Sequence, residues 1–403
     1  MNIRKEARLV LLKNFHGTKG RYITPATEHY KSQWFWDSCF HAISCSELGM
    51  YDMAKKEITQ LLKHQDERGF IPHLIFHGIY DWYDVERYLY GKGRRPTSSS
   101  IVGQAVLAQA VEAIDDDEFT NAVIEQVVAF YKFFVTYRDA ENVLSIISPR
   151  EGRDASPEYD FFRPHAPKFL NILNRILDPL YTHILEWKYL RMGWNEKKIL
   201  ASNIFHVKDL VAHCIWLDGL YSLRRLLKKI ERENLFPDID EVIERGVNSL
   251  IENCWDEETK TFYPIRVGYG KINQVTLGTL FPLLIEDLPK EIELSIIEKL
   301  TDPKIFWTPY PIPSVPRNHP EYNPGSSYPL WRGQSWICIN WFIIKALAAK
   351  GYKDIARELA EKSTKMVEMS GFNECYNPET GAPLRVKNLA WSTLVVTFPK
   401  LVS

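Results

Sequence analysis

The sequence lacks a long apolar run. Its 403 residues contain no apolar stretch of about 18, the length that a membrane-spanning helix needs. Residues 1–8, M-N-I-R-K-E-A-R, are charged and lack the apolar core of a signal peptide. The sequence therefore predicts a protein without a membrane span and with a cytoplasmic location.

Neither sign of charge is in excess. The 50 Lys and Arg residues balance 51 Asp and Glu residues, and the two signs are interspersed along the chain. Binding to a nucleic acid or to an anionic membrane surface needs clustered basic residues. The sequence therefore argues against both kinds of partner.

Cysteines and cofactor motifs are scarce. The six cysteines form no C-x-x-C pair and most lie in apolar patterns, which is typical of reduced thiols. There is no Gly-rich phosphate loop and no metal-spaced ligand set. His73 and His77 are four residues apart, but no third ligand lies near them in the sequence. We therefore predict no cofactor and no metal.

Helical periodicity dominates the rest of the chain. Apolar residues recur at helical spacing, and the polar connections between these segments hold little strand signal. The predicted helices cover residues 3–15, 37–48, 51–66, 100–113, 118–138, 166–192, 206–230, 239–253, 276–286, 290–301, 331–350, 352–370 and 389–397, with Asp37 or Ser38 as the N-cap of the second and a short hairpin at 255–264.

The helices follow one another in pairs, and no Pro/Gly/Ser linker divides the chain. We therefore expect one all-α domain over residues 1–403. A closed ring of helical hairpins and an open α-solenoid both fit this pattern, and periodicity alone does not decide between them.

Aromatic and charged residues cluster where the predicted helices begin or end. The composition includes 12 Trp, 20 Tyr and 20 Phe. If the loops at one end of a helical ring converge, these clusters form one pocket. Aromatic faces stack on sugar rings, although large helical cores also use aromatic residues. Carboxylates bind sugar hydroxyls, and cleavage of a glycosidic bond needs two carboxyl groups.

Residues 148–160, S-P-R-E-G-R-D-A-S-P-E-Y-D, form a loop too charged to be core. Its prolines and glycine break regular structure. Capping of a helix that begins at Pro157 is the structural alternative for an acid in this loop, but Ser156 suits that task better than Asp154. Asp154 is therefore a candidate catalytic acid.

Glu374 is the candidate second carboxylate. It follows Gly371 and Phe372 and precedes an N-P-E-T-G turn. The alternative is a solvated loop charge, for which Glu379 in the same turn is a plausible example.

Five segments resemble the bacterial and archaeal branch of glycoside hydrolase family 63, close to the mannosylglycerate and glucosylglycerate hydrolases and related to trehalases. They follow the family order along nearly the whole chain. They are Q-W-F-W-D-S at 33–38, G-F-I-P-H at 69–73, G-R-D-A-S-P at 152–157, P-I-P-S-V-P…Y-N-P-G-S-S-Y-P-L-W-R-G-Q-S-W at 311–336, and N-E-C-Y-N-P-E-T-G at 373–381 with L-A-W-S at 389–392.

The resemblance implies an (α/α)6 barrel, the six-hairpin glycosidase toroid, and hydrolysis with inversion of a small glucosyl or mannosyl substrate. It assigns Asp154 as general acid and Glu374 as general base. It also implies a set of substrate-binding residues on the same segments, with Tyr328 and Trp336 the weaker candidates among them. They are Trp34, Trp36, Asp37, His73, Arg153, Tyr328, Trp331, Arg332, Gly333, Trp336 and Trp391.

The sequence departs from the family pattern near these positions. The altered residues are Pro149, Arg150, Glu151, Ala155, Gln334, Ser335 and the segment around Ser98. Arg150 or Arg153 would suit an anionic aglycone such as glycerate, although arginines also brace loops. The glycone, the aglycone, any calcium requirement and the choice between monomer and homo-oligomer stay open.

In the expected mechanism, a partly desolvated pocket keeps Asp154 protonated for donation to the leaving oxygen. Glu374 then deprotonates a water on the opposite face of the sugar. One alternative is a sugar 2-epimerase, whose chemistry relies on histidines, although His213 reads as a core residue. Another is a carbohydrate-binding relative without activity.

Overall fold

The computed structural model describes residues 2–16, 22–77, 97–162 and 171–403, with side chains for all of these except residues 171–179. Helices dominate it. The α-helices are α1 Ile3–Asn14, α2 Phe35–Glu47, α3 Tyr51–Leu62, α4 Leu107–Ile114, α5 Asp117–Arg138, α6 Asn171–Arg191, α7 Glu196–Ser202, α8 Leu210–Lys229, α9 Ile239–Cys254, α10 Lys290–Thr301, α11 Ile337–Ala349, α12 Lys353–Ser370 and α13 Phe398–Leu401. The 3-10 helices are η1 Ala140–Asn142, η2 Pro149–Glu151, η3 Pro157–Tyr159, η4 Glu233–Leu235, η5 Leu277–Leu284 and η6 Ala390–Thr397.

Six of these helices form a closed inner ring. Helix α2 contacts α4, α4 contacts α8, and α8 contacts η5. The ring continues from η5 to α11 and from α11 to η6, and η6 contacts α2 again. The described residues therefore form a closed toroid, as the family resemblance implied, and the solenoid alternative is wrong.

A second layer of helices surrounds the ring. Helix α3 packs on α2 and α4, α5 on α4 and α8, α9 on α8, α10 on η5, α12 on α11 and η6, and α1 on η6 and α2. The sequence explains the two layers. Helix α11 is buried along almost its whole length, as expected for a helix that is apolar all round. Helix α10, by contrast, leaves Leu294, Glu291 and Glu298 at the surface.

Short strands connect the helices. They are β1 Phe15–His16, β2 Tyr22–Ile23, β3 Gln33–Trp34, β4 Leu74–Ile75, β5 Ser145–Ile146, β6 Val207–Lys208, β7 Trp255–Asp256, β8 Thr261–Phe262, β9 Ile265–Arg266, β10 Gly270–Lys271, β11 Asn373–Tyr376 and β12 Pro383–Lys387. The predicted hairpin at 255–264 is confirmed as β7 and β8. The four-stranded sheet β10-β9-β6-β5 was not predicted, and its strand β5 leads directly into the acid loop.

Several predicted helix limits are wrong for local reasons. The helix predicted at 331–350 begins only at Ile337, because Trp331 has φ +62° and Gly333 has φ +126°, which are not helical. The helix predicted at 206–230 begins at Leu210, since Val207–Lys208 pair in the sheet. Segments 276–286 and 389–397 form 3-10 helices rather than α-helices.

Other predicted limits differ as well. The helix predicted at 100–113 begins at Leu107, and α7 was not predicted. Part of the helix predicted at 166–192 lies outside the described residues. Helix α2 begins at Phe35 with Trp34 as N-cap, so the N-cap role predicted for Asp37 or Ser38 is wrong.

One apolar cluster extends through the toroid from Ala7 to Phe398. All six cysteines are buried within the molecule as free thiols. Among the described residues, none of the helices is both long and apolar enough to cross a membrane.

Candidate active site

A cavity of about 200 Å³ opens at the end of the toroid where the inner helices begin. Most of the residues predicted to bind substrate line it, and both predicted catalytic carboxylates do so too. They are Trp34, Trp36, Asp37, His73, Asp154, Trp331, Trp336, Glu374 and Trp391. The tryptophans and Asp37 lie shortly before an inner helix or in its first turn, whereas His73, Asp154 and Glu374 lie in the connections between helices. Closure of the ring brings these residues, which are distant in sequence, together.

Tryptophans form one wall of the cavity. The Trp331 and Trp336 rings stack with centroids 4.0 Å apart and an interplanar angle of 8°. Trp391 meets the edge of Trp336 at 5.7 Å and that of Trp36 at 5.8 Å. This array presents flat apolar surface, which suits the face of a sugar ring.

Glu374 lies on β11 and is 5% exposed. The Tyr30 hydroxyl lies 3.3 Å from Oε1 and 3.2 Å from Oε2 of Glu374, and donates to this carboxylate. The Arg385 guanidinium, across the hairpin on β12, has Nε 3.7 Å from Oε2. Burial raises the pKa of Glu374, Arg385 and Tyr30 oppose that shift, and the Asp154 charge adds to it.

Asp37 is a second buried carboxyl in the cavity wall. Its Oδ1 has no hydrogen-bond partner among the described residues, although the side chain is only 3% exposed. Burial raises the pKa of Asp37 well above its ordinary value, and the neighbouring Glu374 charge adds to this. An unpartnered buried oxygen is costly, and the position of Asp37 in the cavity wall makes its carboxyl a candidate for contact with a ligand.

Other polar atoms of the wall share this property. Gln104 Oε1 and Trp336 Nε1 are buried without a hydrogen-bond partner in the described part of the chain. Together with Asp37 Oδ1 they offer one donor and two acceptors around a single cavity.

Asp154 lines the cavity and is exposed, in contrast to the buried Glu374. The loop is fixed on both sides of Asp154, because Arg153 and Ala155 are buried. The arrangement holds the Asp154 backbone firmly while its side chain stays accessible.

Arg153 does not line the cavity. Its guanidinium is 3% exposed and forms ion pairs with Glu158 and Asp209, and it also donates to Tyr159 Oη at 3.1 Å. Burial explains these ion pairs, because a desolvated arginine needs nearby carboxylates. Arg153 therefore fixes the acid loop to the N-terminus of α8, and its substrate-binding role is not supported.

Arg332 also braces the acid loop instead of lining the cavity. Its Nε donates to the Ala155 carbonyl at 3.0 Å, and its guanidinium pairs with Asp160 and with Glu321. Arg332 thus connects the W-R-G segment to the loop that carries Asp154.

Gly333 and Tyr328 lie outside the cavity lining as well. At Gly333, φ is +126° and an added Cβ would lie 3.0 Å from the Tyr322 ring, so the backbone of this turn requires glycine. The turn holds Trp331 and Arg332 in place, which gives Gly333 an indirect role in the site.

The altered positions have separate explanations. Gln334 is buried, and its side-chain amide donates to backbone carbonyls of the 323–329 turn, such as Ser326 O at 2.9 Å. Glu151 pairs with buried Arg138 at 2.9 Å. Both side chains have structural roles, although Glu151 lines the cavity together with Arg150.

Two further predictions concern single side chains. Glu379 is partly exposed, but it also pairs with Arg317 at 2.9 Å and accepts from Tyr322 Oη at 2.6 Å. His73 Nδ1 lies 2.6 Å from Ser99 Oγ, and His77 stacks on Tyr22 with ring centroids 4.1 Å apart.

Metal ligands do not cluster in the part of the chain that the structure describes. It contains no group of three His, Cys, Asp or Glu side chains placed to hold a metal ion.

Sequence reasoning missed three polar residues of the cavity: Tyr30, Gln104 and Arg385. None lies in a recognisable motif. Gln104 is fixed by a hydrogen bond from its Nε2 to the Glu151 carbonyl, and an added Cβ at Gly152 would collide with it at 2.2 Å. The glycine of the acid loop was the signal that the loop makes a close approach to a neighbour at this position.

Residues 30–392 match the family model described as the mannosylglycerate hydrolase MGH1-like glycoside hydrolase domain. The chain belongs to this family. It is therefore a glycoside hydrolase.

Two curated relatives and one solved structure cover almost all of this hydrolase. It is 26% identical to a mannosylglycerate hydrolase of Thermus thermophilus, over 94% of this chain and 97% of that protein. It is 23% identical to the glucosylglycerate hydrolase of Mycolicibacterium hassiacum, over 94% and 93%. The crystal structure of a family 63 mannosylglycerate hydrolase from Thermus thermophilus, in complex with Tris and D-glycerate, superposes with a TM-score of 0.87 at 24% identity, covering 99% of this chain and 100% of that one.

Proposed function

We propose that this hydrolase cleaves an α-glycosidic bond of a small glucosyl or mannosyl substrate with inversion, using Asp154 as general acid and Glu374 as general base. The observation that carries the proposal is that these carboxylates, from loops far apart in sequence, line one cavity. The cavity also has a tryptophan wall and buried polar atoms without partners. We also propose that residues 1–403 act as one catalytic domain.

The two carboxylates have different environments, which suits different roles. Glu374 is buried, and hydrogen bonds and an ion pair fix its orientation, as a base that must direct one water requires. Asp154 is exposed, and a bound substrate would cover it. Desolvation by the substrate would then favour the protonated form that donates to the leaving oxygen.

Asp37 and the tryptophans are proposed to hold the glycone. The unpartnered Asp37 Oδ1 accepts a hydrogen bond from a sugar hydroxyl, and the Trp331–Trp336 stack covers one side of the cavity. Trp36 and Trp391 extend this apolar surface. The choice between glucose and mannose depends on a single axial or equatorial hydroxyl next to the anomeric carbon.

The aglycone is proposed to be a small acid such as glycerate, with Arg150 as its cation. Arg150 belongs to the loop that carries Asp154, and therefore lies on the side of the leaving group. Its Nε lies 3.1 Å from Oε1 of Glu186, which is fully buried. A glycerate carboxylate would join this ion pair from the cavity, whereas Arg153 is already enclosed by carboxylates.

Carboxylate variants test the acid and base roles. Asp154→Asn and Glu374→Gln are each expected to lower kcat by about 100-fold to 10,000-fold. A substrate with an activated aryl leaving group needs little protonation. It should therefore recover much of the loss in Asp154→Asn and little of it in Glu374→Gln. The exposed Asp354→Asn and Glu257→Gln serve as matched controls. Near wild-type activity in either cavity variant would refute its role.

The stereochemical outcome is tested separately. Inversion of an α-glycoside releases the β-anomer of the hexose first, and proton NMR during turnover detects it before mutarotation. A crystal structure should then show the carboxyls of Asp154 and Glu374 about 6.5–9.5 Å apart. Release of the α-anomer would instead indicate retention.

The epimerase alternative finds no support in the site. His213 is fully buried, accepts from Leu144 N at 3.2 Å and contacts Gly246 O at 3.0 Å, so both ring nitrogens are used in packing. The same NMR experiment distinguishes the two reactions, because hydrolysis yields two products and epimerisation yields one isomer.

A further inference from the structure

Three carboxyl groups line the cavity. Asp37 projects from the first turn of α2, Asp154 from the acid loop and Glu374 from β11. The Glu374 charge raises the pKa of Asp37, and the Asp154 charge raises the pKa of Glu374. Three like charges at one site disfavour ionisation of each, yet a general base must be ionised to accept a proton from water.

Arg385 opposes this repulsion at the position of the base. It lies on β12, lines the cavity, and has Nε 3.7 Å from Glu374 Oε2. Tyr30 connects the two residues, since it donates to both carboxylate oxygens of Glu374 and also hydrogen-bonds to the Arg385 guanidinium.

The backbone at Arg385 is unusual. Its φ is +65°, the left-handed region that glycine adopts more readily than any residue with a Cβ. The β11–β12 register is shifted between Asn373 and Cys375, which places Glu374 at an irregularity opposite this residue. Other non-glycine residues of the described chain, such as Glu231, also have positive φ, and Arg385 differs from them in that its side chain lines the cavity beside Glu374.

We propose that Arg385 is a positioning residue that keeps Glu374 ionised and, with Tyr30, fixes the direction of its carboxylate. This inference rests on the proposed role of Glu374 as general base. Arg385 acts through Glu374 and has no bond-making step of its own. Arg385 thus determines the pH range of activity from its position on the β11–β12 hairpin, which also carries Glu374.

The glycine-like backbone provides a sharp test. Arg385→Gly removes the guanidinium and at the same time relieves the strained φ, so the variant is expected to fold and to keep a Tm close to that of the wild type. The pH dependence of its activity should nevertheless differ from that of the wild type. The acidic limb of kcat/KM, where the base becomes protonated, is expected to move to higher pH by about one unit, because an opposite charge at this distance lowers a carboxyl pKa by about 1–3 units and solvent reduces the effect here.

Two further variants complete the experiment. Arg385→Lys keeps a cation. Its acidic limb should therefore lie close to the pH of the wild-type limb. Arg232→Gln is the matched control, since Arg232 pairs with Glu125 at 2.8 Å and has nearly the same side-chain exposure, 35% against 34%, but lies outside the cavity lining. Its acidic limb should coincide with that of the wild type.

The outcomes separate this inference from the proposed function. An unmoved acidic limb in Arg385→Gly, with Glu374→Gln inactive, would overturn the role of Arg385 alone. Appreciable turnover by Glu374→Gln would overturn the base assignment, and the role of Arg385 with it. An upward shift in Arg385→Gly that Arg385→Lys reverses would support the inference.

Discussion

At the residue scale, Asp37 is a residue that we expect to lower stability at neutral pH while serving substrate binding. Its side chain is buried, and its Oδ1 lacks a partner within the described residues. Burial raises its pKa, and the Glu374 charge raises it further. A carboxyl with a raised folded-state pKa contributes stability at low pH, and this contribution is lost as the pH rises through the folded-state value.

Asp37→Asn is therefore expected to stabilise the protein at neutral pH while lowering activity. Removing an ionisable group from a buried, unpartnered position should raise the free energy of unfolding by about 1–3 kcal/mol. Urea unfolding at several pH values measures this. The advantage over wild type should shrink toward acidic pH, where the wild-type carboxyl is protonated. A gain independent of pH would contradict the electrostatic explanation.

At the scale of elements, the acid loop is held by ion pairs from several directions. Arg153 connects it to Asp209 at the start of α8, and Arg332 connects it to the W-R-G segment. Between these anchors, Asp154 stays exposed. The structure therefore combines a rigid loop backbone with an accessible acid, which suits a group that must meet a leaving oxygen accurately.

Arg332→Gln should misplace the acid without removing it. Loss of the contacts to Ala155 O and Asp160 is expected to lower stability by about 1–3 kcal/mol and to lower kcat more than it changes KM. Arg317→Gln removes an exposed ion pair near the N-P-E-T-G turn and is the control. Arg332→Lys should recover only part of kcat, because it lacks the planar fork that reaches both partners. A change in KM alone would indicate direct substrate binding by Arg332.

At the scale of the whole molecule, the site exists because the ring closes. The last inner helix, η6, packs between α11 and α2 and brings Trp391 against Trp36. Trp391 Nε1 also donates to the Glu374 carbonyl at 3.1 Å. The end of the chain is thus required to complete a site that begins near residue 30.

Leu394→Ala tests this dependence on closure. Leu394 is fully buried in η6, and its truncation should lower the free energy of unfolding by about 2–5 kcal/mol. Leu294→Ala on the outer helix α10 is the matched control, since Leu294 is 51% exposed. Chemical denaturation compares the two variants. Equal losses of unfolding free energy would show that packing of η6 contributes no more to stability than a surface position does.

The sequence predicted the elements better than their ends. Periodicity located most helices, because helix formation follows the local spacing of apolar residues. It failed at the helix predicted from residue 331, where Trp331 and Gly333 adopt positive φ to shape the cavity. It also failed for Val207–Lys208, whose pairing with β5 and β9 depends on partners distant in sequence.

Motifs and local pattern by themselves determined the family, the toroid and the two candidate carboxylates, because these depend on residue types in a fixed order. Only the tertiary structure decided which charges face the cavity. Arg150 and Arg153 are three residues apart and equivalent in the sequence. The structure encloses Arg153 between Glu158 and Asp209 and leaves Arg150 at the cavity. The reason is physical, since the environment of a charge depends on burial and on partners that distant parts of the chain supply.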